Sequence, residues 1–478
     1  MTKNYYHQCH FHFIGVGGIG MSGLALILFK RGYSISGSDK NNNQAITKLK
    51  ALGITIFDNQ SKNNIKEILK IKKQEVIIIV SSAIPDENDE LKAAKENQIK
   101  ILHRSDILSN LIDNQSTILV AGSHGKTTTS TLITTLFALN NQKPTAIIGG
   151  IVPYYNSNAN AGDGEFLIAE ADESDGSLIK YKGTLAIITN LELDHTDLYK
   201  NINDLIKKMT IFGQNSEQVL ANYDCNNVRK CNLVNPKWCS TKYIKEVNFS
   251  AIPIKITGYE TIAKYYEEGR FINQITIPLP GLHNLSNALS AIAACRISGI
   301  EFTKVNQYLK KLESPNRRFE FKGIWKNRQI VDDYGHHPSE IRETIKMARL
   351  IVESKKSILP LNSNRLVLLF QPHRYSRTKD LMKEFAEELG KVDVLILAPI
   401  YSAGEKPIEK INLQTLKSKI LSNYPKLTIV ELKELDNIKN ILEKETKKND
   451  LIVVMGAGNI NKVSEKLTAN QLNRSYAK

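Results

Sequence analysis

Two glycine-rich loops, each between a short apolar strand and a helical segment, constrain this 478-residue chain more than any other feature. The first is Gly15, Gly17 and Gly20, a G-x-G-x-x-G set after the apolar run Phe11 to Ile14 and before the helix predicted over Ile19 to Phe29. Glycine lets backbone turn tightly and approach a pyrophosphate, and the following helix start offers free N–H groups to the anion. Asp39 follows Gly20 by 19 residues, at the end of a predicted strand Ser34 to Ser38. An acid there meets a ribose hydroxyl. The motif alone points to NAD, but the loop reads the pyrophosphate and not the base, so another diphosphate nucleotide fits equally.

The second loop is Gly122-Ser123-His124-Gly125-Lys126-Thr127-Thr128, after the apolar strand Thr117 to Ala121. Successive backbone N–H groups in such a turn cradle phosphate oxygens. Lys126 is expected to reach the β- and γ-phosphates of ATP, and the Thr127 hydroxyl to ligate Mg²⁺. The general pattern wants a further glycine where Val120 stands. Acids at Glu170 to Asp175 close another strand, Phe166 to Ala169, and Asn190 to His195 close a third, Leu185 to Thr189. Carboxylates at strand ends beside a phosphate loop suit Mg²⁺, and His195 is a candidate to complete the metal shell.

Around these loops, short apolar runs alternate with helical segments, which predicts an α/β protein with parallel sheets. The expected division is three domains. Residues 1–114 form a Rossmann-like unit, 115–316 a central P-loop ATPase unit, and 317–478 a second Rossmann-like unit. Polar stretches near Asp113 and Asn114, and near Ser314 to Asn316, mark the boundaries. In the last unit, strands are expected at Gln329 to Val331, Leu366 to Phe370, Val392 to Leu397 and Leu451 to Met455, with helices from Pro338 and Lys379. Ser354 to Asn364 reads as a small surface insertion, and Cys225 to Tyr266 is weakly patterned.

The net charge of +15 suits phosphorylated substrates as well as nucleic acid. The lysines are scattered and no Arg-rich arm or aromatic RNA-binding signature occurs, so no nucleic-acid partner is expected. Five cysteines form no CxxC pair, against a disulfide framework. His7, Cys9, His10 and His12 lie close in sequence, but no second ligand pair follows, so His10 and His12 are assigned to the start of a strand. No secretory signal and no run of ~18 apolar residues is seen, which predicts a cytoplasmic location without membrane insertion. The oligomeric state is not legible.

Taken together, the residues resemble the Mur ligases of peptidoglycan synthesis. The segment Gly15 to Gly23 is similar to an N-terminal signature of that family, and Gly122 to Thr129 to its shortened ATP loop. Glu170 to Asp175 and Asn190 to His195 resemble its metal segments. Gly281 to Ala288 resembles its adenine-contacting helix start, and Arg317-Arg318-Phe319 precedes the last domain. Asp332 to Pro338, Phe370 to Arg377 and Tyr401 to Glu405 complete the set.

The resemblance implies a ligase that joins L-alanine to the carboxylate of UDP-N-acetylmuramate through an acyl phosphate formed from ATP. Gly15, Gly17, Gly18, Ile19, Gly20, Asp39 and Ser82 would then hold the UDP substrate. Gly122 to Thr128, Asn284, Asn287, Arg318 and Asp332 would hold ATP. Lys126, Glu170, His195, His336, Arg374 and Arg377 would serve the reaction, the last three framing the alanine, and Thr127, Glu170 and His195 would hold Mg²⁺. Rival readings are a ligase that attaches a whole peptide to the same UDP-sugar acid, an NAD-dependent oxidoreductase, and a P-loop motor or nucleic-acid NTPase.

Overall fold

The computed structural model describes residues 8–72, 74–196 and 198–475, so His7 lies outside the described residues. The chain divides into two compact units. One runs to Ser240 and adds Ile244–Phe249 and Leu289–Tyr308; the other holds Thr241–Tyr243, Ser250–Ala288 and Leu309–Lys478.

The first unit contains a parallel sheet of β1 (Cys9–Ile14), β2 (Ser34–Ser38), β3 (Thr55–Phe57), β4 (Glu75–Val80) and β5 (Lys100–His103), in the order β3-β2-β1-β4-β5. Helices cover both faces, so the interior strand β4 reads as an unbroken apolar run in which Ile77, Ile78 and Ile79 are fully buried. The strand order reverses at β1, and the crevice at such a reversal is where open α/β sheets bind ligands. Gly15–Gly20 leaves β1 at that place.

The same unit holds β6 (Ser116–Ala121), β7 (Thr145–Val152), β8 (Ser157–Asn160), β9 (Phe166–Glu170), β10 (Leu185–Ile188), β11 (Gln218–Asn222) and β12 (Lys237–Ser240). Their order is β12-β11-β10-β6-β9-β7-β8, parallel except for β8. This order puts β10, β6 and β9 side by side. The three segments singled out by sequence therefore leave the carboxyl ends of adjacent strands: the phosphate loop after β6, the acids after β9 and Asn190–His195 after β10.

In the second unit, β13 (Phe249–Ile256), β14 (Thr261–Glu267) and β15 (Arg270–Ile277) are sheet neighbours. β14 and β15 form a hairpin through Glu268 and Gly269, both at positive φ (47° and 74°), as a two-residue turn of matching twist requires. A six-stranded sheet follows: β16 (Glu320–Trp325), β17 (Arg328–Asp333), β18 (Arg365–Phe370), β19 (Val394–Leu397), β20 (Thr428–Glu431) and β21 (Asp450–Met455). The order is β16-β17-β21-β18-β19-β20, with only β16 antiparallel.

One expectation needs correction, and two stretches gain detail. The helix expected from Lys379 is two helices, Tyr375–Asp380 and Met382–Leu389. The weakly patterned stretch Cys225–Tyr266 contains β12, β13 and most of β14. Ser354–Asn364 lies mostly at the surface but is anchored from beneath. Leu359 and Ser363 are buried, and the buried Gln329 side chain donates to the Leu361 carbonyl (2.8 Å) and accepts from its amide (2.9 Å). One buried side chain thus ties a surface stretch down by satisfying its backbone.

Candidate active site

The phosphate loop is shaped by backbone that only glycine tolerates. Gly122 sits at φ 131°, and a Cβ there would lie 2.2 Å from the Thr189 hydroxyl. The segment after β10 grips the loop from the side. Thr189 Oγ1 donates to the His124 carbonyl (2.7 Å), Asn190 Oδ1 accepts from the His124 amide (2.9 Å), and the Ser123 hydroxyl donates to the Glu192 carbonyl (2.9 Å). Gly125, at φ 80°, caps the helix Lys126–Leu139 without any side-chain hydrogen bond. The first-turn amides of that helix are left for an anion, which the helix dipole also favours. Within Asn190–His195, the segment that resembles a metal segment, Asn190 and Glu192 brace the loop.

Lys126 closes the loop on itself. Its ammonium donates to the Gly122 carbonyl (2.6 Å) and pairs with Glu173 at 2.8 Å. Burial alone would lower the Lys126 pKa, but Glu173, Asp172 and Glu170 outweigh it and raise it. Glu173 was not singled out from sequence, because only the first acid of the run was chosen as a ligand. Burial pushes its carboxyl up, with Asp172 adding and Lys126 opposing, to about 7 from the ordinary 4.5. A proton bound more tightly by the folded than the unfolded state stabilises the fold fully below the unfolded pKa and is lost as pH rises through the folded one. Glu173→Gln is therefore expected to flatten the melting temperature of the ligand-free protein between about pH 4.5 and 7, where wild type declines. Identical pH profiles for the two proteins would refute this.

Thr127 Oγ1 donates to Glu170 Oε2 at 3.1 Å, and Gly149 N–H and Ser130 Oγ hold the other oxygen, Glu170 Oε1 (2.6 and 3.3 Å). Two hard oxygens about 3 Å apart match neighbouring corners of an octahedron with ~2.1 Å metal–oxygen bonds, so this pair fits Mg²⁺. Burial is the largest effect on Glu170 and raises its pKa. A cation there would restore the ionised form. His195 lies on the loop after β10 at φ 53°, with its amide on Asp194 Oδ1 (2.8 Å) and Nε2 4.0 Å from Asp194 Oδ2. Thr128 is buried in the first turn of the helix.

At the other loop of this unit, Gly18 is the N-cap of the helix Ile19–Lys30, again with no side-chain cap. Asp39 Oδ2 accepts from the Gly17 amide (2.9 Å), so the acid braces the glycine turn itself. Ser82 Oγ meets His103 Nε2 at 3.1 Å. Arg104, which sequence reading missed, stands between this loop and the acids. A Cβ on Gly20 would be 3.1 Å from its Nη1, while its Nη2 lies 2.9 Å from Asp175 and 3.7 Å from Asp172. Partners 71 residues apart leave no local signal of such a contact.

In the second unit, Asn284 and Asn287 lie in the first turns of the helix Leu282–Ile297. The Asn284 amide is turned onto the Pro280 carbonyl (2.8 Å) and is buried, while Asn287 is half-buried. Arg318 pairs with Glu340 (3.1 Å) and lies over the Tyr334 ring (5.3 Å). Asp332, pushed up by burial to about 6, pairs with Arg317 (3.2 Å).

His336, Arg374 and Arg377 gather at the ends of β17 and β18. The rings of His336 and His373 are 5.7 Å apart, His373 stacks on Tyr401 (5.4 Å), and Arg377 Nη1 meets His373 Nδ1 at 3.3 Å. Arg377 is only 8% exposed, and Arg374, at φ 71°, caps the helix that carries it.

Comparison with known proteins accords with this arrangement. Three Mur ligase domains match along the chain: the Mur ligase family catalytic domain over residues 10–116, the middle domain over 120–295, and the glutamate ligase domain over 317–458. A UDP-N-acetylmuramate–L-alanine ligase of Prochlorococcus marinus is 58% identical over 98% of this chain and 99% of its own. One from Synechococcus is 47% identical over 98% and 97%. Among solved structures, the UDP-N-acetylmuramate-alanine ligase of Thermotoga maritima shares the fold with a TM-score of 0.80, at 24% identity over 97% of this chain and 99% of that one. At 58% identity over essentially the full length, the chain belongs to the Mur ligase family.

Proposed function

We propose that this chain is the ligase that joins L-alanine to the carboxylate of UDP-N-acetylmuramate, with ATP converted to ADP and phosphate, in peptidoglycan precursor synthesis. The observation that carries the phosphoryl-transfer half is the uncapped loop Gly122–Thr128, with Lys126 at its mouth and Thr127 beside Glu170. The identities of the two joined substrates rest on the relatives' activity.

A carboxylate is a poor electrophile and repels the γ-phosphate it must attack. Lys126 is the cation that offsets that repulsion once phosphate draws it from Glu173, and the loop amides orient the transferred group. Mg²⁺, held by Thr127, Glu170 and His195, would add charge neutralisation there. The carboxylate takes the γ-phosphoryl group to give an acyl phosphate; the alanine amine attacks its carbonyl and phosphate leaves.

Gly15, Gly17, Gly18, Ile19, Gly20, Asp39 and Ser82 form the UDP-substrate side. Asn284, Asn287, Arg318 and Asp332 serve ATP. His336, Arg374 and Arg377 hold the alanine, an Arg fork taking its carboxylate. The division into residues 1–114, 115–316 and 317–478 is the functional one: UDP substrate, ATP, and amino acid. Among the described residues no helix is long and apolar enough to cross a membrane.

The competing reading, a ligase that adds a whole peptide, is separated by acceptor choice. With UDP-N-acetylmuramate and ATP, L-alanine is expected to give the amide product and a tripeptide none. Product from the tripeptide in preference to alanine would transfer the chain to the other class.

A further inference from the structure

The first sheet contains a line of buried polar groups that the reaction does not use. His10 and His12 alternate with Phe11 and Phe13 along β1, so both imidazoles point to one face. Ser34, Ser36 and Ser38 of β2 lie beside His10, His12 and Ile14 in parallel register. His10, His12, Ser38 and Glu90 are all fully buried, and Ser36 nearly so.

The hydrogen bonds form one chain. Ser34 Oγ meets His10 Nδ1 (2.8 Å), His10 Nε2 meets Ser36 Oγ (2.7 Å), Ser36 Oγ meets His12 Nδ1 (2.8 Å), and His12 Nε2 meets Glu90 Oε1 (3.0 Å). Ser38 Oγ donates to the other oxygen, Oε2, and Asn64 Nδ2 donates to Oε1 (2.9 Å).

Counting protons fixes its direction. Glu90 accepts from Asn64 and Ser38, and the arrangement that serves every partner has His12 donate to it from Nε2 and accept at Nδ1 from Ser36. Ser36 then accepts from His10 Nε2, and His10 accepts at Nδ1 from Ser34. Every ring nitrogen then has one partner, and burial pushes the His10 pKa down, to about 3. Glu90 also sits in the first turn of the helix Asp89–Glu96, capped by Asn88, where a negative charge is favoured.

The chain ends at the glycine loop. Ser38, fixed by Glu90, accepts at its carbonyl the amides of Gly15 (2.8 Å) and Val16 (3.0 Å), and the next residue, Asp39, holds Gly17. Asn88, at the head of the Glu90 helix, donates to Gln60 (2.8 Å), and a Cβ on Gly15 would meet Ile84 at 2.9 Å. We propose that Glu90 is a positioning residue for the UDP-substrate loop, acting through Ser38 with His12 as its fixed donor. This rests on reading Gly15–Gly20 as the UDP-substrate site.

Steady-state kinetics on the full chain test it. In Glu90→Gln, an N–H₂ replaces one of the accepting oxygens, so either Ser38 must turn from donor to acceptor or the His12–Asn64 pair loses its acceptor. The expected result is a rise of tenfold or more in KM for UDP-N-acetylmuramate, with kcat and the KM values for ATP and L-alanine within about twofold. Ser38→Ala, which removes one hydroxyl and keeps the rest of the chain, should reproduce that selective rise even if Glu90→Gln fails to fold. Ser34→Ala, at the far end, should lower melting temperature alone. Folded Glu90→Gln or Ser38→Ala with an unchanged UDP-substrate KM, or with all KM values rising together, overturns the proposal. Gly17→Ala, whose Cβ would lie 2.9 Å from Asp39 Oδ2, separates the two layers. If it leaves the UDP-substrate KM unchanged, the loop reading itself falls, and the proposal with it. If it raises that KM while the Glu90 and Ser38 variants do not, only the positioning role falls.

Discussion

Replacing Lys126 with alanine is expected to lower kcat by ~10²-fold or more while leaving the affinity for UDP-N-acetylmuramate nearly intact. Loss of one well-placed charge at a developing transition state costs about 3 kcal/mol. The structure adds a second consequence. The Lys126 ammonium is the partner of Glu173, which is 3% exposed. Burial already pushes the Glu173 carboxyl up to about 7 against the pull of Lys126, so without the ammonium a charge is stranded only above that pH, where breaking a buried pair from one side costs roughly 3–5 kcal/mol. Above about pH 7, Lys126→Ala should therefore also melt early, and the double variant Lys126→Ala with Glu173→Gln should recover stability but not activity. That split distinguishes a cation needed by the reaction from one needed by the fold. A double variant within about threefold of wild-type kcat, a gap of well under ~1 kcal/mol, would remove Lys126 from the mechanism.

Arg377→Lys is expected to raise KM for L-alanine strongly while KM for ATP changes little. Arg377 lies on the short helix after β18, nearly buried, with Nη1 against His373, whose ring stacks on Tyr401. Its guanidinium plane is thus held in one orientation, and a planar fork grips a small carboxylate with paired N–H bonds that an ammonium cannot copy. Truncating one partner of a buried charged hydrogen bond costs roughly 2–5 kcal/mol. The milder lysine change should still give at least a ~10-fold rise, about 1.4 kcal/mol. Varying each substrate in turn decides it. An unchanged alanine KM, or an equal rise for ATP, would place the amino-acid pocket elsewhere.

What was legible in the sequence follows from how locally each feature is encoded. Strands such as Leu366–Phe370 and Leu451–Met455 are buried on both faces and show as apolar runs, so they were found. β15 is exposed along most of Arg270–Ile277, with no apolar run to see. β16 and β20, partly exposed edge strands, were missed for the same reason. The two glycine loops carry their chemistry within seven residues and could be read directly. Their supports could not. Thr189 and Asn190 reach the phosphate loop across more than 60 residues, and Glu90 reaches His12 across 78. The pairing of Lys126 with Glu173 depends on β6 and β9 being neighbours, which only the sheet order decides.

The most direct test of the whole account is release of ADP and phosphate with each component omitted in turn. Rapid turnover is expected only when Mg²⁺, ATP, UDP-N-acetylmuramate and L-alanine are all present, because the phosphate loop has no productive acceptor until the UDP substrate's carboxylate is in place. Rapid ATP hydrolysis with neither co-substrate, or turnover indifferent to L-alanine, would contradict it.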